Sequence, residues 1–248
     1  WGTPEDVAEY NNWSDTFRRL DADTAPGAID EEAQGSLIMP MAGLGQRFAR
    51  EGYQQTKPLI PVSGQAMVIQ ASHDLPRARQ HAFVLRSDMP GHEDIARTLL
   101  THFPGAVIHD VPSVTEGQAC SADLGVQALK ARDGRVDGPV TFGACDNGAL
   151  YNQARFKALM DDPKVDVVAW VARGHTNAIR QPQMFGWVDA DTKGRIQRVS
   201  VKVPLDNPAK DPIIIGTFTF RRVEDFERAL ARLIGENDRV NNEFYLDS

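Results

Sequence analysis

A glycine-rich turn followed by two cationic side chains is the clearest chemical signal in this sequence. Residues 37–41 are apolar, residues 42–45 read Ala-Gly-Leu-Gly, and Arg47 and Lys57 follow. Glycine lets backbone N–H groups come close to phosphate oxygens, and such groups form concave anion sites. The arginine guanidinium can bind phosphate through two parallel hydrogen bonds, and lysine adds a point charge. The pattern therefore predicts a loop that binds phosphate groups.

Three interpretations of this turn are open. It is a surface turn beside two solvated cations, a dinucleotide-binding loop, or a loop that binds a nucleoside triphosphate. The dinucleotide pattern Gly-x-Gly-x-x-Gly requires a third glycine, but Phe48 stands in that place. A Walker loop is excluded because Gly-Lys-Ser/Thr does not occur in the sequence.

Asp146 is a candidate metal ligand. It follows the apolar segment 139–145, which we predict to be a strand. Open α/β sheets bind ligands beyond the carboxyl ends of their strands, and a carboxylate there suits Mg²⁺. The alternative is a solvated turn, because Asp146-Asn147-Gly148 is a good turn sequence by itself. Gly148 also excludes the Asp-x-Asp pattern of many glycosyltransferases.

The elements that must position these residues alternate between strand and helix in the first two thirds of the chain. This alternation predicts an α/β fold with a Rossmann-like, mixed, mostly parallel sheet and helices on both faces. The later strands lack intervening helices, so we expect them to extend the sheet in antiparallel fashion. Strands are expected at 37–41, 82–85, 106–108, 139–145, 165–171, 185–188, 196–203 and 213–220, and helices at 66–75, 93–102, 117–131, 152–160 and 223–234.

Composition excludes several classes of partner. The net charge of −7 argues against binding of a nucleic acid backbone, although a local phosphate pocket needs only a few cations. No apolar run reaches about 18 residues, so no membrane span is expected. Cys120 and Cys145 form no Cys-x-x-Cys pair, and we expect two reduced thiols in a cytoplasmic protein.

Residues 40–67 read PMAGLGQRFAREGYQQTKPLIPVSGQAM, which resembles the signature of sugar-phosphate nucleotidyltransferases, especially those of the capsule or surface-polysaccharide type. The resemblance continues in order over residues 36–248. It implies the nucleotide-diphospho-sugar transferase fold, which is GT-A-like. It further implies Mg²⁺-dependent transfer of a nucleoside monophosphate from a nucleoside triphosphate to a sugar phosphate or similar small phosphate, with release of pyrophosphate. Arg47 and Lys57 take the catalytic positions, and the nucleotide-binding positions of the turn are Met41, Ala42, Gly43, Leu44 and Gly45.

A second segment resembles the part of the family that meets the nucleobase. Residues 111–119 contain Thr-x-Gly-x-Ala, and Gly117 takes the nucleotide-binding position. A helix that starts here with Thr115 as its N-cap would use the same residues, and both interpretations can hold, since helix N-termini favour anionic ligands.

Three later segments resemble the acceptor and metal sites. Lys202, in a Lys-x-Pro sequence, takes the position that contacts the acceptor phosphate, although Val201 replaces the usual glutamate and the proline is displaced by one. The alternative is a solvent-facing lysine on a strand. Gly216 borders the sugar pocket in the resemblance, Glu243 contacts the acceptor, and Asp247 is the second Mg²⁺ ligand beside Asp146. For Asp247 the alternative is a frayed acidic terminus.

The first residues resemble the end of the family rather than its start. Residues 1–6 read Trp-Gly-Thr-Pro-Glu-Asp, a motif that the family carries near its C-terminus. We therefore divide the chain into a tail-like segment with a linker, 1–35, and a nucleotidyltransferase domain, 36–248. A tandem or fused protein, circular permutation, and a sequence that begins within a longer protein all explain this order. Fusion to a second domain and homo-oligomerisation are both compatible with it.

Two other functions compete with the one that the resemblance implies. A GT-A glycosyltransferase would consume a nucleotide sugar and release no pyrophosphate. A non-catalytic domain would bind the nucleotide without turnover. The expected partners of the enzyme are a nucleoside triphosphate and a small phosphorylated acceptor, with no nucleic acid and no membrane.

Overall fold

An eight-stranded mixed sheet organises the computed structural model of this protein, which describes residues 33–248 except for the side chains of Gln46 and Arg47. The predicted tail-like segment lies almost entirely outside the described residues. The strands are β1 (Ser36–Pro40), β2 (Pro61–Val62), β3 (Gln65–Ala66), β4 (Gln80–Arg86), β5 (Val107–Val111), β6 (Val140–Phe142), β7 (Val167–Ala172), β8 (Gly186–Ala190), β9 (Ile196–Val201) and β10 (Ile213–Phe220). The helices are α1 (Gln46–Arg50), α2 (Met67–His73), α3 (His92–His102), α4 (Gln118–Asp133), α5 (Gln153–Asp161), α6 (Thr176–Arg180) and α7 (Val223–Gly235), with short 3₁₀ helices at Lys57–Leu59 and Pro182–Met184.

The sheet has a parallel half and an antiparallel half. Its order is β5-β4-β1-β6-β10-β8-β9, and β7 also pairs with β10. The pairs β5–β4, β4–β1 and β1–β6 are parallel, whereas β10 runs antiparallel to β6, β7 and β8, and β8 to β9. The predicted fold class, with its antiparallel extension, is confirmed. Two-residue β2 and β3 form a separate hairpin.

Side chains that alternate along β1 feed two cores, one on each face of the sheet. Ile38 packs in the core that α4 and α7 cover, and Leu37 and Met39 pack in the core that α2 and α3 cover. Gly125 lets α4 approach closely, because a Cβ there would overlap the side chain of Ile38. This packing fixes the start of α4 near the carboxyl ends of the parallel strands. Among the described residues, no helix is long and apolar enough to span a membrane.

The predicted strand at 139–145 was too long, since β6 ends at Phe142. Phe142 is the last residue that pairs with β10, at Phe218, before β10 bulges between Ile214 and Phe218. Gly216 lies in this bulge with a φ of +76°, a conformation that favours glycine. The pairing with β10 ends there, although Gly143 N–H still donates to the carbonyl of Ile38 at 3.0 Å and Gly216 packs near Ala144.

Candidate functional site

The glycine-rich turn is open to solvent. Directly before it, Met41 is buried, and its N–H donates to the carbonyl of Val84 at 2.9 Å. Ala42 is buried as well, whereas Gly43 is exposed and Leu44 is 59% exposed. A Cβ at Gly43 would meet no atom within 4 Å. A phosphate group can therefore approach the outer side of this turn.

Arg86, which the sequence analysis did not single out, holds the turn by hydrogen bonds to its backbone carbonyls. Arg86, the last residue of β4, is buried and donates from Nη1 to the carbonyl oxygens of Ala42 at 3.2 Å and Gly43 at 2.8 Å. Its Nε donates to Asp88 Oδ1 at 2.7 Å. An arginine at the carboxyl end of a strand, beside a phosphate turn, was the signal that could have found it.

Lys57 and Asp146 are in direct contact beside the glycine-rich turn. The Nζ atom of Lys57 lies 2.5 Å from Oδ2 of Asp146, and both side chains are partly exposed. A Cβ at Gly45 would lie 3.6 Å from the Cβ of Lys57, so the turn packs directly against this lysine. The turn, the predicted catalytic lysine and the predicted metal ligand thus form one cluster. Arg47 lies in α1 immediately after the turn, but its side chain is outside the described residues.

The segment after Asp146 is anchored on both sides, unlike a freely solvated turn. The Asn147 side-chain amide donates to the carbonyl of Ile215 in β10 at 2.9 Å. Gly148 packs against Asp74, where a Cβ would overlap the Asp74 side chain. Burial raises the pKa of Asp74 above its ordinary value, against the opposing effect of its hydrogen bond with Gln70.

Asp247 packs against β8. A Cβ at Gly186 would overlap the Asp247 carboxylate and would lie 3.2 Å from Cδ1 of Ile214. Burial raises the pKa of Asp247, while a hydrogen bond from its own backbone and the charge of Lys202 act in the opposite direction. Asn147, next to Asp146, contacts Ile215 directly, whereas Asp247 is linked to the neighbouring Ile214 through Gly186, which lies against both.

The predicted acceptor residues Lys202 and Glu243 lie near Asp247. Lys202 Nζ donates to the carbonyl of Met184 at 2.6 Å and lies 5.6 Å from the ring centroid of Tyr245. Burial, followed by a hydrogen bond to Glu243, raises the pKa of Tyr245 to about 12. Tyr245 therefore joins this group, although the sequence interpretation passed over it. An aromatic residue two positions before Asp247 was the available signal.

Gly117 begins α4, and the C-terminal segment contacts it. Its φ is +133°, and a Cβ would overlap the backbone of Phe244. Phe244 N–H donates to the Glu116 carbonyl at 2.8 Å, and Ala119 N–H donates to the Phe244 carbonyl at 3.1 Å.

The interpretation that Thr115 caps α4 was wrong, because Gly117 occupies the N-cap position. The Thr115 hydroxyl instead donates to the Gly117 carbonyl at 2.9 Å and lies 2.7 Å from the Ser121 hydroxyl oxygen.

Gly216 contacts both the start of α4 and the segment before Asp146. Its carbonyl accepts a hydrogen bond from the Gln118 side chain at 3.2 Å, and a Cβ at Gly216 would lie 3.4 Å from the Cβ of Ala144. The β10 bulge therefore lies between the start of α4 and the segment that leads to Asp146.

The donor chemistry of the two aspartates fits Mg²⁺. Within residues 33–248, apart from the two undescribed side chains, no group of three or more histidine, cysteine, aspartate or glutamate side chains could hold a metal ion. Mg²⁺ does not need such a cage, because it commonly takes one or two carboxylates and completes its shell with water and substrate phosphates. A cation would also offset the burial of the Asp247 carboxylate, which its raised pKa reflects.

Comparisons with known proteins found similarity in structure only. No family model matches the chain, and no curated protein matches it. The nucleoside-diphosphate-sugar pyrophosphorylase from Vibrio cholerae RC9 superposes with a TM-score of 0.65 at 18% identity, over 85% of this chain and 84% of that one. The inositol-1-phosphate CTP transferase from T. maritima gives 0.55 at 14% identity, over 82% and 74% of the two chains. A UDP-glucose pyrophosphorylase complexed with UDP-glucose gives 0.57 at 12% identity, over 86% and 84%.

The chain therefore has the Rossmann-like nucleotidyltransferase fold. These structural neighbours are pyrophosphorylases and nucleotidyltransferases that share the mixed sheet with the present protein. At such low identity the similarity defines the fold, and the chemistry has to be argued from the site.

Proposed function

We propose that this protein transfers a nucleoside monophosphate from a nucleoside triphosphate to a small phosphorylated acceptor and releases pyrophosphate. The single observation that carries the proposal is the cluster of the exposed turn at 43–45, Lys57 and Asp146. In this cluster the turn packs against Lys57, and the Lys57 ammonium lies 2.5 Å from the Asp146 carboxylate. The N–H groups of the turn would bind the anion. A polyphosphate together with a divalent cation requires this combination of charges.

The reaction needs no side-chain nucleophile. An oxygen of the acceptor phosphate, already anionic, attacks the α-phosphorus in line, and the bond to the β-phosphate oxygen breaks. Catalysis then consists of positioning and charge stabilisation. The N–H groups of the turn hold the triphosphate, while Arg47 and Lys57 neutralise the charge that develops on the leaving pyrophosphate.

Asp146 and Asp247 are the residues that would hold Mg²⁺. When bound, the ion supplies positive charge to the phosphate oxygens.

The acceptor is proposed to bind beside Lys202, Gly216, Tyr245 and Glu243. A lysine near a tyrosine hydroxyl and a carboxylate suits a phosphate attached to a hydroxylated ring. Sugar or polyol phosphates meet this description, and the resemblance to capsule-type sequences favours a precursor of a surface polysaccharide. We expect the reaction to take place in the cytoplasm, where nucleoside triphosphates are available.

A screen for pyrophosphate tests the proposal directly. Each of the four common nucleoside triphosphates is incubated with Mg²⁺ and a panel of sugar-1-phosphates and inositol phosphates, and pyrophosphate is quantified. Pyrophosphate release that depends on one acceptor is the expected result. The Asp146→Asn variant should abolish it, and Asp161→Asn, at an exposed position of α5, serves as the matched control.

Two outcomes of the screen would replace the proposal. If the protein binds a nucleoside triphosphate but no acceptor leads to pyrophosphate, it is a nucleotide-binding domain without turnover. If, in a parallel incubation with nucleotide sugars in place of the nucleoside triphosphates, these sugars are consumed with release of a nucleoside diphosphate, it is a glycosyltransferase.

A further inference from the structure

Arg86 contacts the phosphate turn from its inner side. Its side chain is only 7% exposed, whereas its partner Asp88 is 63% exposed. One nitrogen, Nη1, donates to two successive carbonyl oxygens, those of Ala42 and Gly43. A buried guanidinium that engages consecutive peptide groups controls the orientation of both.

Peptide geometry transmits this control to the opposite side of the turn. In a planar trans peptide, the carbonyl and the N–H of the following residue point in opposite directions. Because the carbonyls of Ala42 and Gly43 point toward Arg86, the N–H groups of Gly43 and Leu44 point away from it. In the described part of the chain neither N–H donates to a backbone carbonyl, and both residues are exposed. Two adjacent N–H groups directed to one side suit a bound anion.

We propose that Arg86 is a positioning residue, which orients the N–H groups of the turn for the triphosphate without contacting the ligand. This inference rests on the proposed function for the identity of the anion. The burial of the guanidinium and its bonds to the inner carbonyls separate its role from that of Lys57, whose partly exposed ammonium pairs with Asp146.

A purely structural role for Arg86 makes a different prediction. If the arginine only ties β4 to the turn, its loss lowers the thermal stability and leaves the affinity of the folded protein for polyphosphate unchanged. If it orients the N–H groups, its loss weakens polyphosphate binding at temperatures where the variant is fully folded.

The test compares Arg86→Gln and Arg86→Lys with the wild type and with Arg97→Gln, an exposed control on α3. Inorganic tripolyphosphate is the probe, its binding is measured by calorimetry, and folding is monitored by circular dichroism at the same temperature. We expect about tenfold or greater weakening for Arg86→Gln, since a charged hydrogen-bond donor to two backbone carbonyls is removed. Arg86→Lys keeps the charge but not the forked donor, so its tripolyphosphate affinity should lie between that of the wild type and that of Arg86→Gln. Arg97→Gln should bind as the wild type does.

A kinetic measurement adds a second criterion. With the acceptor that the pyrophosphate screen identifies, KM for the nucleoside triphosphate should rise in the Arg86 variants while KM for the acceptor stays at the wild-type value. Equal changes in both constants, or wild-type tripolyphosphate affinity in either folded variant, overturn the positioning role. Should Arg86→Gln not fold, Arg86→Lys alone decides.

The two proposals fail separately. A wild-type protein that binds tripolyphosphate but releases no pyrophosphate contradicts the proposed function, and the Arg86 variants still test the orientation of the turn. Pyrophosphate release by the wild type together with unchanged tripolyphosphate binding in the variants contradicts only the role of Arg86.

Discussion

Lys57 and Asp146 form an ion pair, with 2.5 Å between Nζ and Oδ2. One is the cation proposed to stabilise pyrophosphate, and the other is a carboxylate proposed to bind Mg²⁺. The substrate and the metal ion must therefore exchange this ion pair for two new ones. Partly exposed ion pairs contribute only about 0–1 kcal/mol, so the exchange costs little.

Lys57→Gln should lower turnover by about two to three orders of magnitude, because loss of one preorganised charge in the transition state commonly has this effect. The melting temperature should change little, since the pair is partly exposed. Lys157→Gln, which removes the lysine of the exposed Lys157–Asp161 pair, is the control. Pyrophosphate release and thermal unfolding are measured on both variants, and wild-type turnover in Lys57→Gln would remove this lysine from the mechanism.

Arg47→Ala should likewise lower turnover by orders of magnitude, because Arg47 directly follows the turn and supplies the other cation proposed for the leaving pyrophosphate. The assay is the same pyrophosphate measurement, with Arg135→Ala, at a well-exposed position, as the control. Near-normal turnover in Arg47→Ala would refute its assignment.

Asp247→Asn should stabilise the protein near neutral pH while it abolishes turnover. Burial raises the native pKa of Asp247 above its ordinary value of 3.8. At pH values between the ordinary pKa, which applies to the unfolded state, and the raised native pKa, the native state binds more protons than the unfolded state. The free energy of unfolding of the wild type therefore falls as pH rises through this range. The variant lacks this contribution, and the difference between the two stability curves should grow with pH and level off above the native pKa.

Denaturant unfolding at several pH values measures this difference. Asp74, whose pKa is also raised, is present in both proteins and does not affect the comparison. Mg²⁺ should raise the melting temperature of the wild type but not that of Asp247→Asn, because a ligand stabilises only the state that binds it. Equal Mg²⁺ effects in both proteins would argue against Asp247 as a metal ligand.

Gly186→Ala should displace the Asp247 carboxylate, because the added Cβ would occupy its position. We expect a large loss of turnover and weaker Mg²⁺ stabilisation. Gly235→Ala, at the end of α7 where a Cβ meets no atom within 4 Å, is the matched control. Full activity and Mg²⁺ response in Gly186→Ala would show that the position of Asp247 is not critical.

Gly43→Ala should separate ligand binding from folding. A Cβ at this position meets no protein atom within 4 Å, so the free energy of unfolding should stay close to that of the wild type. The methyl group would project into the open space through which a phosphate approaches the turn, and KM for the nucleoside triphosphate should rise. If KM stays unchanged, the triphosphate does not contact the turn at Gly43.

The long elements could be predicted from the sequence, because periodic burial determines their pattern. The strand expected at 213–220 matches β10, and the helix expected at 223–234 matches α7 to within one residue. The five-residue helices α1 and α6 were not predicted, since fewer than two turns give too little periodicity.

The site could be predicted in part. The turn and Lys57 lie close together in the sequence and form a readable motif, whereas Arg86 acts on carbonyls 43 and 44 residues earlier in the chain. The arginine at the end of a predicted strand marks a candidate, but its contact with the turn follows only from the parallel pairing of β1 with β4. Tyr245 was missed for a similar reason, since its place near Lys202 depends on how the C-terminal segment folds back toward β8, where Asp247 lies against Gly186.

The bulged strand β10 contacts two groups of residues to which the proposed function assigns different substrates. Its Gly216 carbonyl accepts a hydrogen bond from Gln118, next to the proposed nucleobase position, and its Ile215 carbonyl accepts one from Asn147, next to the proposed metal ligand Asp146. A mutation that shifts β10 at Ile215 and Gly216 should disturb both groups of residues at once. A change of acceptor that spares the nucleotide is therefore best sought at the residues proposed to bind the acceptor, Lys202, Glu243 and Tyr245.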